Sequence, residues 1–154
     1  MFLLLFYVRD NKYALDTSRI IEIVPRIKLR KIPHAFEFVA GIFNYHNIIV
    51  PVIDLCTLFH GEPCFPCFGT RIILVKYPGE KNNTFTLGLI AERVIETRTV
   101  TEADLISPGI NIKEAPYLGK IITDKQETIQ IIQLDRLLTE SMGKSLFTGQ
   151  MMDK

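Results

Sequence analysis

Residues Gly41–Leu55 read GIFNYHNIIVPVIDL, and this stretch predicts a β-hairpin that runs into a short helix. Two mainly apolar runs, Gly41–Asn44 and Ile48–Ile53, have the composition of strands. The connection between them contains His46 and Asn47, two residue types that enter the left-handed conformation of tight turns more readily than most. The sequence therefore places His46 at an exposed hairpin tip, where it either closes the turn or contacts a partner.

Residues within and after the hairpin restrict its conformation. Gly41 permits a close backbone approach or an unusual φ angle. Pro51 has no N–H, so it must face away from the hydrogen-bond ladder or lie at a sheet edge. Asp54 can accept backbone N–H groups at the start of a helix, Leu55–His60, that ends at Gly61. These features predict a strand, a turn, a second strand and a capped helix, in that order.

The composition indicates a folded protein without a global charge bias. The chain has 154 residues, of which 47% are hydrophobic, with 18 basic and 17 acidic residues. This balance does not favour nucleic acid or an anionic membrane as a partner. The opening MFLLLFYV is too short to cross a bilayer and predicts a strand covered on both faces. We expect a cytoplasmic protein with no direct membrane insertion, whose three cysteines fit a reducing compartment.

The two halves of the chain resemble each other. SRIIE (Ser18–Glu22) is matched by ERVIE (Glu92–Glu96) at an offset of 74 residues, and two further pairs follow in the same order at offsets of 78 and 79. These further pairs are AGIFN (Ala40–Asn44) with LGKII (Leu118–Ile122), and VIDLCTLF (Val52–Phe59) with IIQLDRLL (Ile131–Leu138). Each unit is too small to carry a generous core, so we expect the two to pack together.

The repeat predicts one domain over residues 2–142 that is made of two related β-units. Subdomain 1 covers about residues 14–70, and subdomain 2 covers about residues 71–142 and can share the N-terminal strand. A helix is expected over Arg136–Met142, with Gly143 ending it. Residues 143–154 then form a C-terminal tail, and we expect Gln150–Lys154 to fray.

Cysteine and histidine residues cluster just after the hairpin. Cys56, His60, Cys64 and Cys67 are spaced as C-x3-H-x3-C-x2-C. Three thiolates and an imidazole form a valid tetrahedral zinc set, and the C-x2-C pair could instead cycle as a disulfide. Cys56 also fits a core position, since free cysteine is among the most buried residues. Metal binding, redox cycling and an incidental cluster all stay open here, and we assign no metal or other cofactor.

Ordered motifs along nearly the whole chain resemble the CheW-like family of bacterial chemotaxis coupling proteins. That family carries G-x-x-N-x-R-G-x-x-x-P-V-x-D-L, which this chain matches at Gly41, Asn44, Pro51, Val52, Asp54 and Leu55. Three more segments resemble the opening, the middle and the closing motifs of the family: YALDTSRIIEIV (Tyr13–Val24), LGLIAERVIE (Leu87–Glu96) and IQIIQLDRLL (Ile129–Leu138).

The resemblance implies a mostly β fold of two intertwined five-stranded SH3-like barrels with a few short helices. It also implies a non-catalytic adaptor that bridges the regulatory domain of a CheA-type histidine kinase to the cytoplasmic tips of chemoreceptors. The absence of a P-loop, a G-x-S-x-G motif or a GxGxxG motif agrees with a protein that is not an enzyme. In the family, receptor contact involves the cleft between the barrels and the hairpin, and kinase contact uses the barrel ends.

The chain departs from the family at the hairpin tip, where His46-Asn47 replaces Arg-Gly. Histidine offers fewer donors than arginine and carries no permanent charge, so a bidentate contact would not survive the change. The chain is then a divergent coupling protein, a component of another chemosensory pathway, or a decoy that binds kinase without coupling. A metal- or redox-responsive module using the Cys56–Cys67 cluster is the alternative.

The resemblance also implies a set of partner-binding residues: Ile20, Glu22, Ile23, Gly41, Asn44, Tyr45, His46, Asn47 and Val50. We further expect an apolar groove between the two barrels, with exposed apolar side chains contributed by Ile20, Ile23, Ile42 or Val50.

Overall fold

The computed structural model describes residues 1–64, 69–79 and 83–152. Within these ranges the chain forms ten strands: β1 (Phe2–Val8), β2 (Asn11–Asp16), β3 (Ile20–Pro25), β4 (Val39–Tyr45), β5 (Ile48–Asp54), β6 (Arg71–Pro78), β7 (Thr84–Ala91), β8 (Arg93–Thr99), β9 (Leu118–Asp124) and β10 (Glu127–Ile132). The helices are short: α1 (Leu55–His60), α2 (Glu140–Leu146) and α3 (Thr148–Met152), with 3-10 turns at Thr17–Arg19, Glu102–Asp104 and Leu134–Arg136.

The strands form two five-stranded sheets. The terminal sheet has the order β8-β1-β2-β10-β9, and the central sheet has the order β3-β6-β7-β5-β4. Each sheet contains one parallel pair, β2 with β10 and β5 with β7, and its other neighbours are antiparallel. The predicted mostly β fold with two five-stranded units and a few short helices is confirmed.

The internal repeat corresponds to equivalent strands in the two sheets. SRIIE runs into β3 and ERVIE forms most of β8, and these strands occupy matching edges of the central and terminal sheets. The AGIFN and LGKII segments lie in β4 and β9, which form the opposite edges. The two sheets do not follow the predicted subdomain boundary at residue 70. β6 and β7, which come after this boundary, lie in the central sheet, and β1 and β2 lie in the terminal sheet.

Contacts between edge strands close each sheet into a barrel. In the central barrel, Tyr45 of β4 donates a hydrogen bond from its Oη to Glu22 of β3, at 2.5 Å. In the terminal barrel, Arg98 of β8 forms an ion pair with Asp124 of β9, at 2.8 Å. The segment after β3 also pairs with β4 through an Arg30–Ile42 bridge, and the segment after β8 pairs with β9 in the same way. These contacts bring the two edge strands of each sheet together and cover part of their edges.

The largest core cluster lies between the barrels and includes one face of β1 and one face of β6. Alternate residues of β1 point in opposite directions, so Leu3 and Leu5 fill the terminal barrel while Leu4 and Phe6 face the central one. The same alternation in β6 directs Ile72 and Leu74 into the central barrel and Ile73 and Val75 into the shared cluster. The predicted strand with two covered faces is confirmed for the opening MFLLLFYV stretch.

The C-terminal residues pack on the central barrel instead of fraying. Phe147 is 2% exposed and stacks on Phe85 and Tyr77, with ring centroids 4.7 and 5.6 Å away. The Gln150 amide donates to the carbonyls of Ile49 and Thr86, at 3.1 and 2.8 Å, and accepts from the Thr86 N–H at 2.8 Å. The prediction that Gln150 frays is therefore wrong, because its side chain bridges β5 and β7.

The predicted helix Arg136–Met142 is also displaced along the chain. A 3-10 turn ends at Arg136, Thr139 caps α2 by accepting from the Met142 N–H at 3.2 Å, and Gly143 lies inside α2. Because Thr139 is the N-cap, the helix starts at Glu140, four residues after the predicted start at Arg136. Among the described residues, no helix is both long enough and apolar enough to cross a membrane.

Three buried tyrosines are expected to limit the stability of the protein at alkaline pH. Burial raises the pKa of Tyr13, Tyr77 and Tyr117 above the ordinary value of 10.0. Because the folded pKa exceeds the unfolded one, their contribution to stability is complete below pH 10 and is lost as the pH rises above it. Absorbance at 295 nm should therefore show tyrosine ionisation that coincides with the loss of the near-ultraviolet circular dichroism signal.

The same titration in concentrated guanidinium chloride provides the control, in which all tyrosines should ionise near pH 10. Ionisation of every tyrosine near pH 10 in the folded protein, with the dichroism signal unchanged, would contradict this expectation.

Candidate functional site

The hairpin tip has the turn that its sequence predicts. His46 and Asn47 both have positive φ angles, 49° and 67°, which is the geometry of a type I′ turn. Tyr45 pairs with Ile48 across the turn, and the Asn44 side chain accepts a hydrogen bond from the Asn47 N–H at 2.9 Å. His46 and Asn47 are exposed, so the tip presents an imidazole and an amide to the surroundings.

Tyr45 connects the tip to the opposite edge of the barrel. Its ring lies edge-on to His46, with centroids 4.3 Å apart, and its Oη donates to Glu22 Oε1. The hydrogen bond to Glu22 is the main cause that raises the pKa of Tyr45 above its ordinary value. The structure thus brings together Glu22 and Tyr45, which lie 23 positions apart in the sequence.

An apolar surface lies beside Glu22 on β3. Ile23 is 39% exposed, and Ile21 is exposed to the same extent, whereas Ile20 is half-buried against the core between the barrels. A β-bulge between Ile20 and Glu22 breaks the alternation of the strand. The bulge leaves Ile21, Glu22 and Ile23 all exposed, which a strictly alternating strand would not do. Sequence reasoning missed Ile21 because no local signal marks the bulge.

Two of the predicted contact residues are internal. Val50 is fully buried inside the central barrel, so the prediction that it presents an exposed apolar side chain is wrong. Its strand β5 lies between β7 and β4 and contributes to the barrel interior. Gly41 is also buried and lies directly against the segment after β3. Both residues therefore support the hairpin from within.

Ile42 lines an apolar groove of about 380 Å³, but this groove lies on the central barrel and not between the barrels. Its other walls are formed by the Ile32–Phe36 segment, Pro51 and Leu146. The described surface where the barrels meet beside Arg19 is mixed, with Leu15, Ile132 and Leu134 next to charged residues. Arg19 crosses it, bonding to Asp135 at 2.6 Å and to the Lys76 carbonyl at 2.8 Å. An apolar groove between the barrels therefore stays a prediction.

The cysteine cluster is arranged differently from the zinc set that its spacing allowed. Cys56 and Cys64 are joined by a disulfide, whereas the odd number of three cysteines suggested thiols in a reducing compartment. His60 is exposed at the end of α1 and lies outside the compact group formed by Asp54, Cys56 and Cys64. Cys67 lies outside the described residues.

The Asp54 carboxylate is occupied by the helix that it caps. One oxygen accepts from the N–H groups of Cys56 and Thr57, at 2.9 and 3.3 Å, and the other accepts from the Cys64 N–H at 3.0 Å. Gly61 ends the helix in a left-handed conformation. The predicted capped helix is confirmed, and the same cap holds Cys64 beside Cys56. With both carboxylate oxygens engaged and both sulfurs bonded to each other, the arrangement favours a disulfide over a metal.

Comparison with known proteins gives a consistent assignment. A profile described as the CheW-like domain matches residues 3–142. The chemotaxis protein CheW of Treponema pallidum is 29% identical over 142 residues, covering 86% of this chain and 78% of the relative. The chemotaxis protein CheW of Bacillus subtilis is 21% identical over 150 residues, covering 96% and 93%.

A solved structure has the same fold. The scaffolding protein TtCheW from Thermoanaerobacter tengcongensis superimposes with a TM-score of 0.78 at 29% sequence identity, covering 90% of this chain and 87% of that one. Since the profile spans both barrels, from β1 to the start of α2, the chain belongs to the CheW-like domain family.

Proposed function

We propose that the chain is an adaptor that couples the cytoplasmic tips of chemoreceptors to the regulatory domain of a CheA-type histidine kinase. The observation that carries this proposal is the CheW-like match across both barrels. As a CheW-like chemotaxis scaffold, the chain is not an enzyme. Family membership supports a cytoplasmic site of action, and the fold supplies two barrels through which one chain can hold two partners at once.

The proposed receptor surface is the edge of the central barrel around the hairpin tip. It comprises the tip residues Asn44–Asn47 and the β3 residues Ile20, Glu22 and Ile23. The Tyr45–Glu22 hydrogen bond holds the tip against β3, so the polar tip and the exposed Ile23 belong to one surface. An apolar side chain flanked by polar groups is typical of the centre and rim of a protein interface. Gly41 and Val50 are proposed to act indirectly, by holding the hairpin in place.

A direct test measures binding of the full chain to purified fragments of its own organism's kinase and receptors. We expect a ternary complex, detected by sedimentation, in which kinase and receptor fragments associate only when the chain is present. Failure to bind the kinase regulatory domain would overturn the adaptor proposal. Binding to kinase without receptor would instead identify the chain as a decoy.

His46→Arg tests the tip itself. The equivalent turn of the terminal barrel carries Lys125 at φ 47°, close to the 49° of His46, so a long cationic side chain fits this conformation. We expect the free energy of unfolding to change by less than about 0.5 kcal/mol. Affinity for the receptor fragment should rise about tenfold, because an arginine can add a charge-assisted hydrogen bond. Urea denaturation measures the free energy of unfolding, and biolayer interferometry measures the affinity.

Lys125→Arg is the matched control, since it places an arginine at the corresponding turn of the other barrel. It should leave receptor affinity within twofold of the unchanged protein. Equal affinities for all three proteins would remove the tip from the proposed interface without affecting the adaptor proposal.

A further inference from the structure

We propose that the Cys56–Cys64 bond is a reversible thiol–disulfide modification site that controls how firmly the two barrels are held together beside α1. The two cysteines are eight positions apart, so the disulfide closes a loop that runs from the first turn of α1 through the turn after the helix. This region lies at the junction of the barrels. The ring of Phe59 in α1 packs on Tyr13 of β2 and on Tyr117 next to β9, with both centroid distances at 5.0 Å.

The segment that the disulfide anchors also binds a residue of the terminal barrel directly. Arg9, in the turn between β1 and β2, donates from its guanidinium to the carbonyls of Glu62 and Pro63, both at 3.3 Å. These two residues immediately precede Cys64. The covalent bond to Cys56, together with the Cys64 N–H bond to Asp54, holds the two carbonyls in position for their contact with Arg9.

A second connection runs through Glu92, which lies between β7 and β8. Its carboxylate accepts a hydrogen bond from the Arg9 N–H, and the same oxygen lies 3.3 Å from the Cys56 sulfur. The sulfur, the carboxylate and the backbone of the β1–β2 turn thus form one continuous set of contacts from the central to the terminal barrel.

Both redox states can be accommodated at this position. After reduction, the buried Cys56 thiol has an acceptor in place, because the Glu92 oxygen lies within hydrogen-bond distance for a sulfur donor. Asp54 caps α1 through the N–H groups of Cys56 and Thr57, without help from either sulfur. We therefore expect reduction to loosen the Glu62–Cys64 segment and its contact with Arg9 while α1 stays folded.

The exchange partner is a dithiol. Cys64 is partly exposed and Cys56 is fully buried, so the reductant's thiolate attacks the Cys64 sulfur. The Cys56–Cys64 bond breaks, a mixed disulfide forms at Cys64, and Cys56 leaves as a thiolate that takes up a proton. The second thiol of the reductant then closes its own disulfide and releases Cys64 as a thiol. Two electrons and two protons pass from the dithiol to the protein, and oxidised dithiol reverses the reaction.

The test uses the full chain equilibrated with oxidised or reduced dithiothreitol, followed by denaturing alkylation and peptide mass spectrometry. In the oxidised sample we expect alkylation of Cys67 alone, and in the reduced sample alkylation of all three cysteines. Amide hydrogen exchange at Arg9 and at Cys64, whose N–H groups are bonded to Glu92 and Asp54, should rise about tenfold on reduction. The melting temperature should fall by about 5–10 °C, as expected for loss of a short disulfide loop in a domain of this size.

Cys67→Ser is the matched control and should respond to dithiothreitol as the unchanged protein does. Cys64→Ser should give the reduced exchange pattern and should no longer respond. If that variant does not fold, reversible reduction of the unchanged protein still provides the measurement. The proposal would be overturned if Cys56 were alkylated in the oxidised sample or if Cys67 formed a disulfide. It would also be overturned by stoichiometric zinc, or by an exchange rate at Arg9 that is the same in both redox states. Partner binding is not a readout, so this outcome is independent of the adaptor proposal.

Discussion

Phe147→Ala is expected to lower the free energy of unfolding by about 3–5 kcal/mol, as large-to-small changes of buried aromatic residues do. Phe147 is 2% exposed and stacks on Phe85 and Tyr77, so its removal leaves a cavity between the C-terminal helices and the central barrel. The stacking partners cannot close this cavity, because both are fixed in neighbouring strands of one sheet. Urea denaturation followed by circular dichroism should show a lower midpoint with an unchanged slope.

Phe2→Ala is the matched control, because Phe2 is 59% exposed at the start of β1. It should cost less than about 1 kcal/mol. A chain that ends at residue 142 should lose at least as much stability as Phe147→Ala, since it lacks both Phe147 and the Gln150 bridge. If Phe147→Ala and Phe2→Ala have similar small effects, the C-terminal residues are a dispensable tail.

The parts of the fold that the sequence predicts are those with a local or repeated signal. The SRIIE and ERVIE segments recur with their neighbours in fixed order, and this order locates equivalent strands of two barrels. Pro51 illustrates a local signal. It lies inside β5, between two strands, yet its missing N–H is tolerated because the parallel pairing with β7 begins only at Val52. The expectation that Pro51 faces away from the ladder agrees with this position.

The parts that could not be predicted depend on long-range pairing. No local pattern shows that β1 and β2 join a sheet with β8, β9 and β10, since the parallel contact of β2 with β10 connects Lys12 to Ile129. The same limit applies to the C-terminal segment. Phe147 and Gln150 have no periodic signal of their own, and their partners Phe85 and Thr86 lie more than 60 positions earlier. Their position at the end of the given sequence therefore suggested a tail.

In the candidate site, the sequence predicts the turn but not the direction of the surrounding side chains. His46 and Asn47 are residue types that tolerate positive φ, and the structure gives both a positive φ. The bulge next to Glu22 changes which isoleucines are exposed, and barrel closure turns Val50 inward. Both effects arise from pairing with β6 and β7, which the hairpin sequence does not encode.

Gly41→Ala is expected to lower the free energy of unfolding by about 2–4 kcal/mol, through backbone strain and overpacking together. Gly41 has a φ of 153°, and a Cβ at this position would lie 2.6 Å from the Arg30 carbonyl oxygen and 2.9 Å from the Leu29 Cβ. The Arg30 backbone cannot move away without breaking its two 2.9 Å hydrogen bonds to Ile42. Thermal unfolding should show a fall of roughly 5–15 °C in the melting temperature.

Gly143→Ala is the control for this change, because Gly143 lies in α2 and a Cβ there meets nothing within 4 Å. Alanine should stabilise that helix by up to about 1 kcal/mol. Binding of the receptor fragment then separates two roles for Gly41. If Gly41→Ala loses stability and affinity together, and affinity returns when the temperature is lowered, the glycine acts by seating the hairpin against Arg30. If affinity is lost while the melting temperature is unchanged, the alanine Cβ instead obstructs the partner. In that case the contact of Gly41 with the Arg30 backbone does not hold the hairpin in place.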